Sequence, residues 1–310
     1  MIKIKLKGKK GVDYNAFVDS YFDDFIMDGF PIFLAGKGQY DGKEIVLLDE
    51  LESKPSKTKV MVLDGKDLFY YFTGHTLSGK LTKVSLATLG KSYNKKDGSF
   101  DTDKKGKIDK ISSVVEISGL KIANAEGVRG DLHDTIYALM GGSHESGGSS
   151  DPTLLSNVVN GQGHKVKGTK KDDSYKGTDF KDKINLDKGN DVLNGGGGND
   201  ILKGGKGKDT FVFDTALGAG NVDKIKDFKP KDDTIKLSLS VFTELSAGKL
   251  DGSAFTKGSA ASDANDRIIY DKKTGALSYD ADGSGSEAAA VQFAKVGKKV
   301  DLGADDFLVF

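Results

Sequence analysis

Cysteine is absent from the 310-residue chain, so neither disulfides nor thiolate metal sites are possible. Arginine is nearly absent too, because Arg129 and Arg267 are the only arginines among 46 basic residues. The lysines are interleaved with an equal number of acidic residues, and the formal net charge is zero. A chain without a predominantly basic composition gives little support for nucleic-acid binding, so we expect no nucleic-acid partner.

Long apolar runs are also missing, and no stretch approaches the roughly 20 apolar residues that span a bilayer. The amino terminus, residues 1–6, alternates like a β-strand and lacks the apolar core of a signal peptide. The chain has no zincin helix motif, nucleophile elbow, phosphate-binding loop or dinucleotide fingerprint. We therefore expect neither a membrane span nor an enzyme.

An aspartate recurs every nine residues between Gly168 and Val212, and a large apolar residue follows each one by two positions. The aspartates are Asp173, Asp182, Asp191, Asp200 and Asp209, and the apolar residues are Tyr175, Ile184, Leu193, Leu202 and Phe211. Five aspartates in register argue against a flexible linker rich in glycine, aspartate and lysine.

The residue types of this repeat suit a calcium site. Its last two units read G-G-G-G-N-D-I-L-K and G-G-K-G-K-D-T-F-V. Glycine permits positive φ, and tight turns of this kind direct backbone carbonyls inward. Ca²⁺ takes about six to eight oxygen ligands, which carbonyls and one carboxylate per turn can supply.

This repeat resembles the calcium-binding nonapeptide of the RTX family of secreted bacterial proteins. The resemblance implies a parallel β-roll at residues 161–214, with successive units on alternate sides and each ion lying between one unit and the second after it. Asp173, Asp191 and Asp209 would then line one edge, and Asp182 and Asp200 the other. The metal-site residues expected from this resemblance are Asp173, Asp182, Asp191, Gly195, Gly197, Asp200, Gly204 and Asp209.

The first two units depart from the repeat, because Lys171 and Phe180 occupy the fourth position, where glycine belongs. Their turns are therefore expected to bind ions poorly. We expect Asp191 and Asp200 to contribute more to calcium binding than Asp173 does.

Residues 215–310 resemble the flank that follows RTX rolls, in which further strands extend and close the roll. Residues 267–271 and 276–283 are similar to a hairpin common in these tails, with its turn at 272–275. The last seven residues end apolar, as type I export signals often do. The resemblance implies a secreted, extracellular protein that leaves the cell through a type I secretion apparatus without a cleaved signal.

The segment before the repeat has the pattern of a separate α+β domain at residues 1–142. Apolar spacing predicts helices at 14–26 and 132–140, and strands at 44–48, 59–63, 68–72, 80–86 and 111–117. Strands flanked by two helices imply a largely antiparallel sheet. We expect a linker at 143–160. Residues 101–108 resemble an EF-hand loop, but Lys105 replaces an oxygen ligand, which favours a solvated hairpin.

Residues 75–81, 117–120 and 131–140 resemble segments of bacterial haem-scavenging hemophores, which are small secreted α+β domains. In that family a tyrosine binds the haem iron and a histidine hydrogen-bonds its phenol. The resemblance assigns these roles to Tyr70 and His75, and it matches His133 to a helix residue, not to a ligand. The loop between Tyr70 and His75 is shorter than the family's, and residues 27–42 contain no histidine to serve as a second axial ligand.

The two resemblances together imply a calcium-binding RTX protein whose amino-terminal domain binds haem for iron acquisition. Its partners would then include a haem-source or receptor protein. The alternative is a non-catalytic secreted or adhesion protein that keeps the hemophore fold without binding haem. In that case Tyr70 would be an ordinary sheet residue and His75 a turn residue.

Overall fold

A computed structural model describes residues 1–94, 97, 99–142 and 149–310. The chain divides into two compact units. Unit 1 contains Met1–Gly8 and Asn15–Gly161, and unit 2 contains Lys9–Tyr14 and Gln162–Phe310. No helix among these residues is both long and apolar enough to cross a membrane.

Unit 1 is built on one antiparallel sheet with the strand order β1-β6-β5-β4-β3-β2. Its strands are β1 (Ile2–Leu6), β2 (Ile32–Leu34), β3 (Asp41–Leu48), β4 (Lys59–Tyr71), β5 (Thr76–Thr88) and β6 (Ser112–Asn124). The two strands predicted at 59–63 and 68–72 form the single strand β4. This strand has a register shift between Lys66 and Phe69 that accommodates the polar residues at its centre.

The described residues form three helices: α1 (Tyr14–Asp23), α2 (Asp131–Leu139) and α3 (Thr153–Asn160). Helices α1 and α2 correspond to the two helices predicted for residues 1–142, whereas α3 lies inside the predicted linker and was not predicted. Pro152 precedes its first residue, and Leu155 and Val159, four residues apart, are both buried. Residues 143–148, the first part of the predicted linker, lie outside the described residues.

Residues 101–108 form a hairpin with a bridge between Thr102 and Ile108. Oδ1 of Asp103 accepts the backbone N–H groups of Lys105 and Lys107 at 2.7 and 3.1 Å. The carboxylate that an EF-hand would direct at an ion is therefore used to stabilise the turn, as the hairpin prediction requires.

Unit 2 contains two sheets whose repeat strands are parallel. The first begins with β7 (His164–Lys167), β9 (Lys183–Asn185), β11 (Ile201–Lys203) and β13 (Asp223–Ile225). The second begins with β8 (Ser174–Lys176), β10 (Val192–Asn194), β12 (Thr210–Phe213) and β14 (Thr234–Leu237). Each repeat thus pairs with the second one along the chain, which is the predicted alternation.

The core of the roll consists of the apolar residues that follow the aspartates by two positions. Tyr175, Leu193 and Phe211 are buried in one sheet, and Ile184 and Leu202 in the other. This core is only one side chain deep from each sheet. Chain entropy is therefore opposed by little apolar burial per residue, and the turns must contribute to stability.

Both sheets of the roll continue beyond residue 214, into the predicted flank. The first sheet continues through β19 (Val291–Lys295), β18 (Ala276–Tyr279), β17 (Ile268–Asp271) and β16 (Phe255–Lys257). The second continues through β20 (Phe307–Val309) and β15 (Gly248–Lys249). The predicted hairpin is confirmed as β17 and β18, which pair antiparallel.

A segment from near the amino terminus covers the start of the second sheet. The N–H of Ser174 donates to the carbonyl of Val12 at 2.9 Å, and the rings of Tyr14 and Tyr175 lie 4.7 Å apart. Gly11 has φ +97° and packs so closely on Asp172 that a side chain would collide with its carbonyl. Residues 9–14 thereby pair with an edge that would otherwise be open.

Candidate calcium sites and the Tyr70–His75 pair

The aspartates of the roll form two ladders of hydrogen bonds. On edge A, the backbone N–H of Asp173 donates to Oδ1 of Asp191 at 2.8 Å, and that of Asp191 to Oδ1 of Asp209 at 3.1 Å. On edge B, the N–H of Asp182 donates to Oδ1 of Asp200 at 2.7 Å. Each ladder therefore fixes one carboxylate oxygen in every turn and leaves the other to be satisfied separately.

In the first two turns a threonine satisfies that other oxygen. The N–H of Thr169 donates to Oδ2 of Asp173 at 2.6 Å, and the N–H of Thr178 donates to Oδ2 of Asp182 at 2.7 Å. The threonine hydroxyls also lie 3.2 Å from the same carboxylates. We call these closed turns, because the protein itself supplies the donors that a cation would replace.

The next three turns have a different backbone. Their second residue is left-handed, with φ of +75° at Asp187, +83° at Gly196 and +116° at Gly205. This conformation directs the N–H away from the aspartate of the turn. In the middle turn, the N–H of Gly196 donates instead to Oδ1 of Asn194 at 2.9 Å. We call these three turns, at residues 186–191, 195–200 and 204–209, the open turns.

Two carboxylate oxygens in the open turns have no partner. Oδ2 of Asp191 and Oδ2 of Asp200 are buried and accept no hydrogen bond from any described residue. A buried acceptor without a donor costs about 1–3 kcal/mol, and more when it is charged. This cost identifies both oxygens as places where a cation would stabilise the fold.

Glycines keep the space beside these oxygens open. A Cβ at Gly195 would collide with Oδ2 of Asp200 and lie 2.7 Å from Oδ2 of Asp223. A Cβ at Gly204 would collide with Oδ2 of Asp209. Gly197 has another role, since its N–H donates to the carbonyl of Thr178 at 2.9 Å and joins two turns of edge B.

Burial of these carboxylates raises their pKa values. Burial and then the neighbouring carboxylates raise the pKa of Asp191 to about 7, that of Asp200 to about 8 and that of Asp209 to about 6. For Asp200, the adjacent carboxylate is that of Asp223. At neutral pH the free protein therefore keeps Asp200 and part of Asp191 protonated, and a bound cation would favour the ionised carboxylates.

The donor set fits a hard divalent cation. No three acidic or histidine side chains converge within the described part of the chain. An ion in an open turn would therefore take its remaining oxygens from backbone carbonyls. That mixture of paired carboxylates and carbonyls is what Ca²⁺ accepts. Turns 186–191 and 204–209 are neighbours on edge A, and turn 195–200 meets Asp223 on edge B.

Sequence reasoning missed two members of the ladders. Oδ1 of Asp223 accepts the N–H of Asp200 at 3.0 Å, and Oδ1 of Asp233 accepts the N–H of Asp209 at 3.1 Å. Both keep the apolar residue two positions later, Ile225 and Ile235, but the spacing is no longer nine. The signal that could have found them is this aspartate-to-apolar spacing, considered without the fixed period.

In unit 1, the two residues assigned to haem binding lie together. The hydroxyl of Tyr70, at the end of β4, is 2.9 Å from Nδ1 of His75, in the turn that precedes β5. His75 has φ +47°, a left-handed conformation that is uncommon in residues other than glycine. Burial, followed by the nearby Tyr137, raises the pKa of Tyr70 above its ordinary value, so the phenol is neutral in the free protein.

Aromatic residues surround this pair. The ring of Phe72 lies 5.1 Å from that of Tyr70 and 4.5 Å from that of Tyr40, and Phe72 is 54% exposed. The N–H of Tyr70 donates to the carbonyl of Tyr40 at 3.0 Å, which links β4 to the loop before β3. The Tyr70–His75 pair therefore borders an exposed aromatic surface.

His133 is buried, and its Nδ1 accepts the N–H of Leu77 at 3.3 Å. Its ring stacks on Tyr137 with 5.6 Å between ring centroids. This environment supports the prediction of a packed helix residue over that of a ligand.

Comparison with known proteins identifies the repeats. Residues 176–211 match the family model of the RTX calcium-binding nonapeptide repeat, in four copies. The chain therefore contains RTX calcium-binding repeats. A search of curated proteins returned no match.

Solved structures similar to the chain include two hemophores. A HasA variant from Yersinia pseudotuberculosis is 14% identical, with 52% of this chain and 89% of that chain covered and a TM-score of 0.36. Holo HasA from Yersinia pestis is 18% identical, with 52% and 90% covered and a TM-score of 0.35. The AlgE6R3 subunit from the mannuronan C5-epimerase of Azotobacter vinelandii is 25% identical, with 47% and 78% covered and a TM-score of 0.33.

The two kinds of turn predict a difference between aspartate variants. Asp200→Asn should weaken calcium binding by about tenfold or more, because it removes charge from an open turn. Asp173→Asn should change the affinity little, because Thr169 already satisfies that carboxylate. Calorimetric titration of both variants checks this, and equal affinities would contradict the distinction between open and closed turns.

The raised pKa values predict that acid stabilises the calcium-free roll. A carboxyl whose folded pKa lies above its unfolded value of about 4 favours folding when protonated. Stability without calcium should therefore rise as the pH falls from about 8 to about 5, which follows from Asp200 at about 8 and Asp191 at about 7. Circular dichroism in chelator measures it. Asp200→Asn should flatten the profile, and a loss of structure over this range would refute the prediction.

Proposed function

We propose that this protein, which carries RTX calcium-binding nonapeptide repeats, is a secreted protein whose second unit folds when it binds calcium. The observation that carries the proposal is the pair of buried oxygens, Asp191 Oδ2 and Asp200 Oδ2, that lack a hydrogen-bond partner among the described residues. Bound calcium supplies the positive charge that these turns lack.

The residues of the open turns would hold the ions in two places. On edge A the carboxylates of Asp191 and Asp209 face one another across neighbouring turns, and Asp233 extends the same ladder. On edge B the carboxylates of Asp200 and Asp223 approach each other beside Gly195. In both places the chain has already fixed one oxygen of each aspartate, so only the second must be ordered by the ion.

This arrangement suits a protein that is exported unfolded. Free calcium is scarce in the cytoplasm, so burial of the open-turn carboxylates would be costly there and the roll would stay unfolded. Outside the cell, calcium would neutralise them and the thin core could form. We therefore propose an extracellular location, export through a type I apparatus and a non-catalytic role for the roll.

The calcium proposal predicts that unit 2 gains β-structure on addition of millimolar Ca²⁺. Circular dichroism at neutral pH, in chelator and then in calcium, measures this gain. The double variant Asp191→Asn/Asp200→Asn should shift the midpoint to higher calcium, and the matched variant Asp173→Asn/Asp182→Asn should not. Identical spectra of the native protein in chelator and in calcium would refute the proposal.

We further propose that unit 1 binds haem through Tyr70, for iron acquisition. The supporting observation is the 2.9 Å contact between the Tyr70 hydroxyl and Nδ1 of His75, beside exposed Phe72. A phenolate is a suitable ligand for ferric haem iron. The resemblance to hemophores makes a haem-source or receptor protein the expected partner.

The residues of the pair have separable roles in this proposal. The Tyr70 phenol is neutral in the free protein, so its proton must leave before the oxygen can bind iron. Nδ1 of His75 is within hydrogen-bonding distance of that proton and can accept it. Residues 27–42 contain no histidine, so of these two loops only the one that carries Tyr70 would hold the haem.

The haem proposal predicts that Tyr70→Phe abolishes a saturable Soret shift in a haemin titration, because no phenolate remains. His75→Ala should weaken the shift, because the phenol loses its proton acceptor. Tyr71→Phe, the adjacent residue on β4, is the matched control and should bind as the native protein does. Binding by Tyr70→Phe equal to that of the native protein would refute Tyr70 as the ligand. No shift with the native protein would favour a secreted or adhesion protein without haem.

A further inference from the structure

One outer face of the roll is a lysine array that calcium binding does not explain. The outward residues of β7, β9, β11, β13 and β19, with the residue that follows β13, include seven exposed lysines. We call this surface the lysine face; its lysines are Lys165, Lys167, Lys183, Lys203, Lys224, Lys226 and Lys295.

Strand register arranges these lysines in two parallel rows. In the first row, Lys165 pairs with Lys183, Lys183 with Ile201, Ile201 with Lys224, and Lys224 with Lys295. The second row, two residues further along each strand, contains Lys167, Asn185, Lys203 and Lys226. Five strands about 4.8 Å apart make a track roughly 19 Å long, with about 7 Å between its rows.

The lysines of this track form no ion pair among the described residues, and only the charge of Lys203 acts on a nearby carboxylate, that of Asp227. Like charges opposite one another across strands are destabilising. The ion pairs found among the described residues of unit 2 involve Lys176, Lys257 and Lys272, and none of these lies on the lysine face. An external anion would relieve the repulsion.

The opposite face of the roll lacks such an array. Its outward positions on β8, β10, β12 and β14 are Ser174, Val192, Thr210 and Thr234 in one row. The second row carries two lysines, and both have partners. Lys176 pairs with Asp214 at 3.1 Å, and Lys236 lies over the ring of Phe310. The concentration of charge on one face is therefore specific to that face.

We propose that the lysine face binds a linear acidic polysaccharide lying along the two rows. A long, narrow track fits an extended chain better than it fits a planar membrane surface. One sugar is about as long as the spacing between strands, so successive carboxylates can meet successive lysines. Lysine is a point charge that pairs with a carboxylate without the fork geometry of arginine.

The composition of the face argues against a nucleic acid. The face contains no arginine to grip phosphates in a bidentate manner and no aromatic ring on which bases could stack. Ile201 and Asn185 are the non-lysine residues within the two rows. The charge is therefore the main feature available for recognition, and binding should weaken steeply with added salt.

The test uses the full chain in saturating calcium and an oligogalacturonate that spans five strands but is too short to gel. The triple variant Lys183→Gln/Lys203→Gln/Lys224→Gln should bind about tenfold more weakly than the native protein, because three charge contacts are lost. Lys170→Gln/Lys181→Gln/Lys249→Gln removes equal charge elsewhere on unit 2 and should bind as the native protein does. Circular dichroism confirms that both variants fold with calcium.

Three results would overturn the proposal. The first is no binding by the native protein at low salt. The second is an equal loss of affinity in the two triple variants, which would indicate a response to net charge alone. The third is equal or tighter binding, dependent on the same three lysines, to anionic lipid vesicles or to single-stranded DNA, which would assign the face to another class of partner.

Discussion

The structure of unit 2 depends on how a buried aspartate satisfies its two carboxylate oxygens. One oxygen always accepts a backbone N–H from the neighbouring turn on the same edge, as Asp200 does from Asp182. This bond sets the stacking of the turns and places every aspartate at the inner side of its edge. The hydrogen bonding of the second oxygen differs between turns, and two arrangements occur. A threonine N–H closes the turn, or a left-handed residue leaves the oxygen without a donor.

The open turns concentrate in the middle of the roll, at residues 186–209, between two closed turns and the ladder members Asp223 and Asp233. Oδ2 of Asp233 accepts the N–H of Lys229 at 2.8 Å, so edge A ends in a turn that is closed again. Residues 9–14 close the same edge at its start, where the N–H of Val12 donates to Oδ1 of Asp173 at 2.7 Å. The proposed calcium sites therefore lie in the part of the roll between closed ends. A thin core offers little apolar burial to offset the cost of those open turns.

Much of this could be predicted from sequence, because the nine-residue period and the apolar residue two positions after each aspartate are local signals. They predicted the alternation of strands and the assignment of the aspartates to two edges. The period fails at Asp223 and Asp233, because longer loops precede them while the pairing stays the same.

Helix α3 was missed because glycine and serine before Pro152 suggested a linker, although Leu155 and Val159 carry a helical spacing. Pairing of Asp13 with Ser174 joins residues that are 161 positions apart, and no local pattern predicts it. In unit 1, the proximity of Tyr70 and His75 followed from the resemblance alone, whereas the aromatic surface around them needed the strand register.

Hydrogen exchange at the amide of Asp182 tests the central claim most directly, because this N–H donates to the carboxylate of Asp200 in an open turn. We predict slow exchange at neutral pH in millimolar calcium and fast exchange in chelator, since burial of the open-turn carboxylates is costly without the ion. The amide of Leu81 in β5 of unit 1 serves as an internal reference and should exchange at the same rate in both conditions. Equal protection of the Asp182 amide with and without calcium would contradict the account.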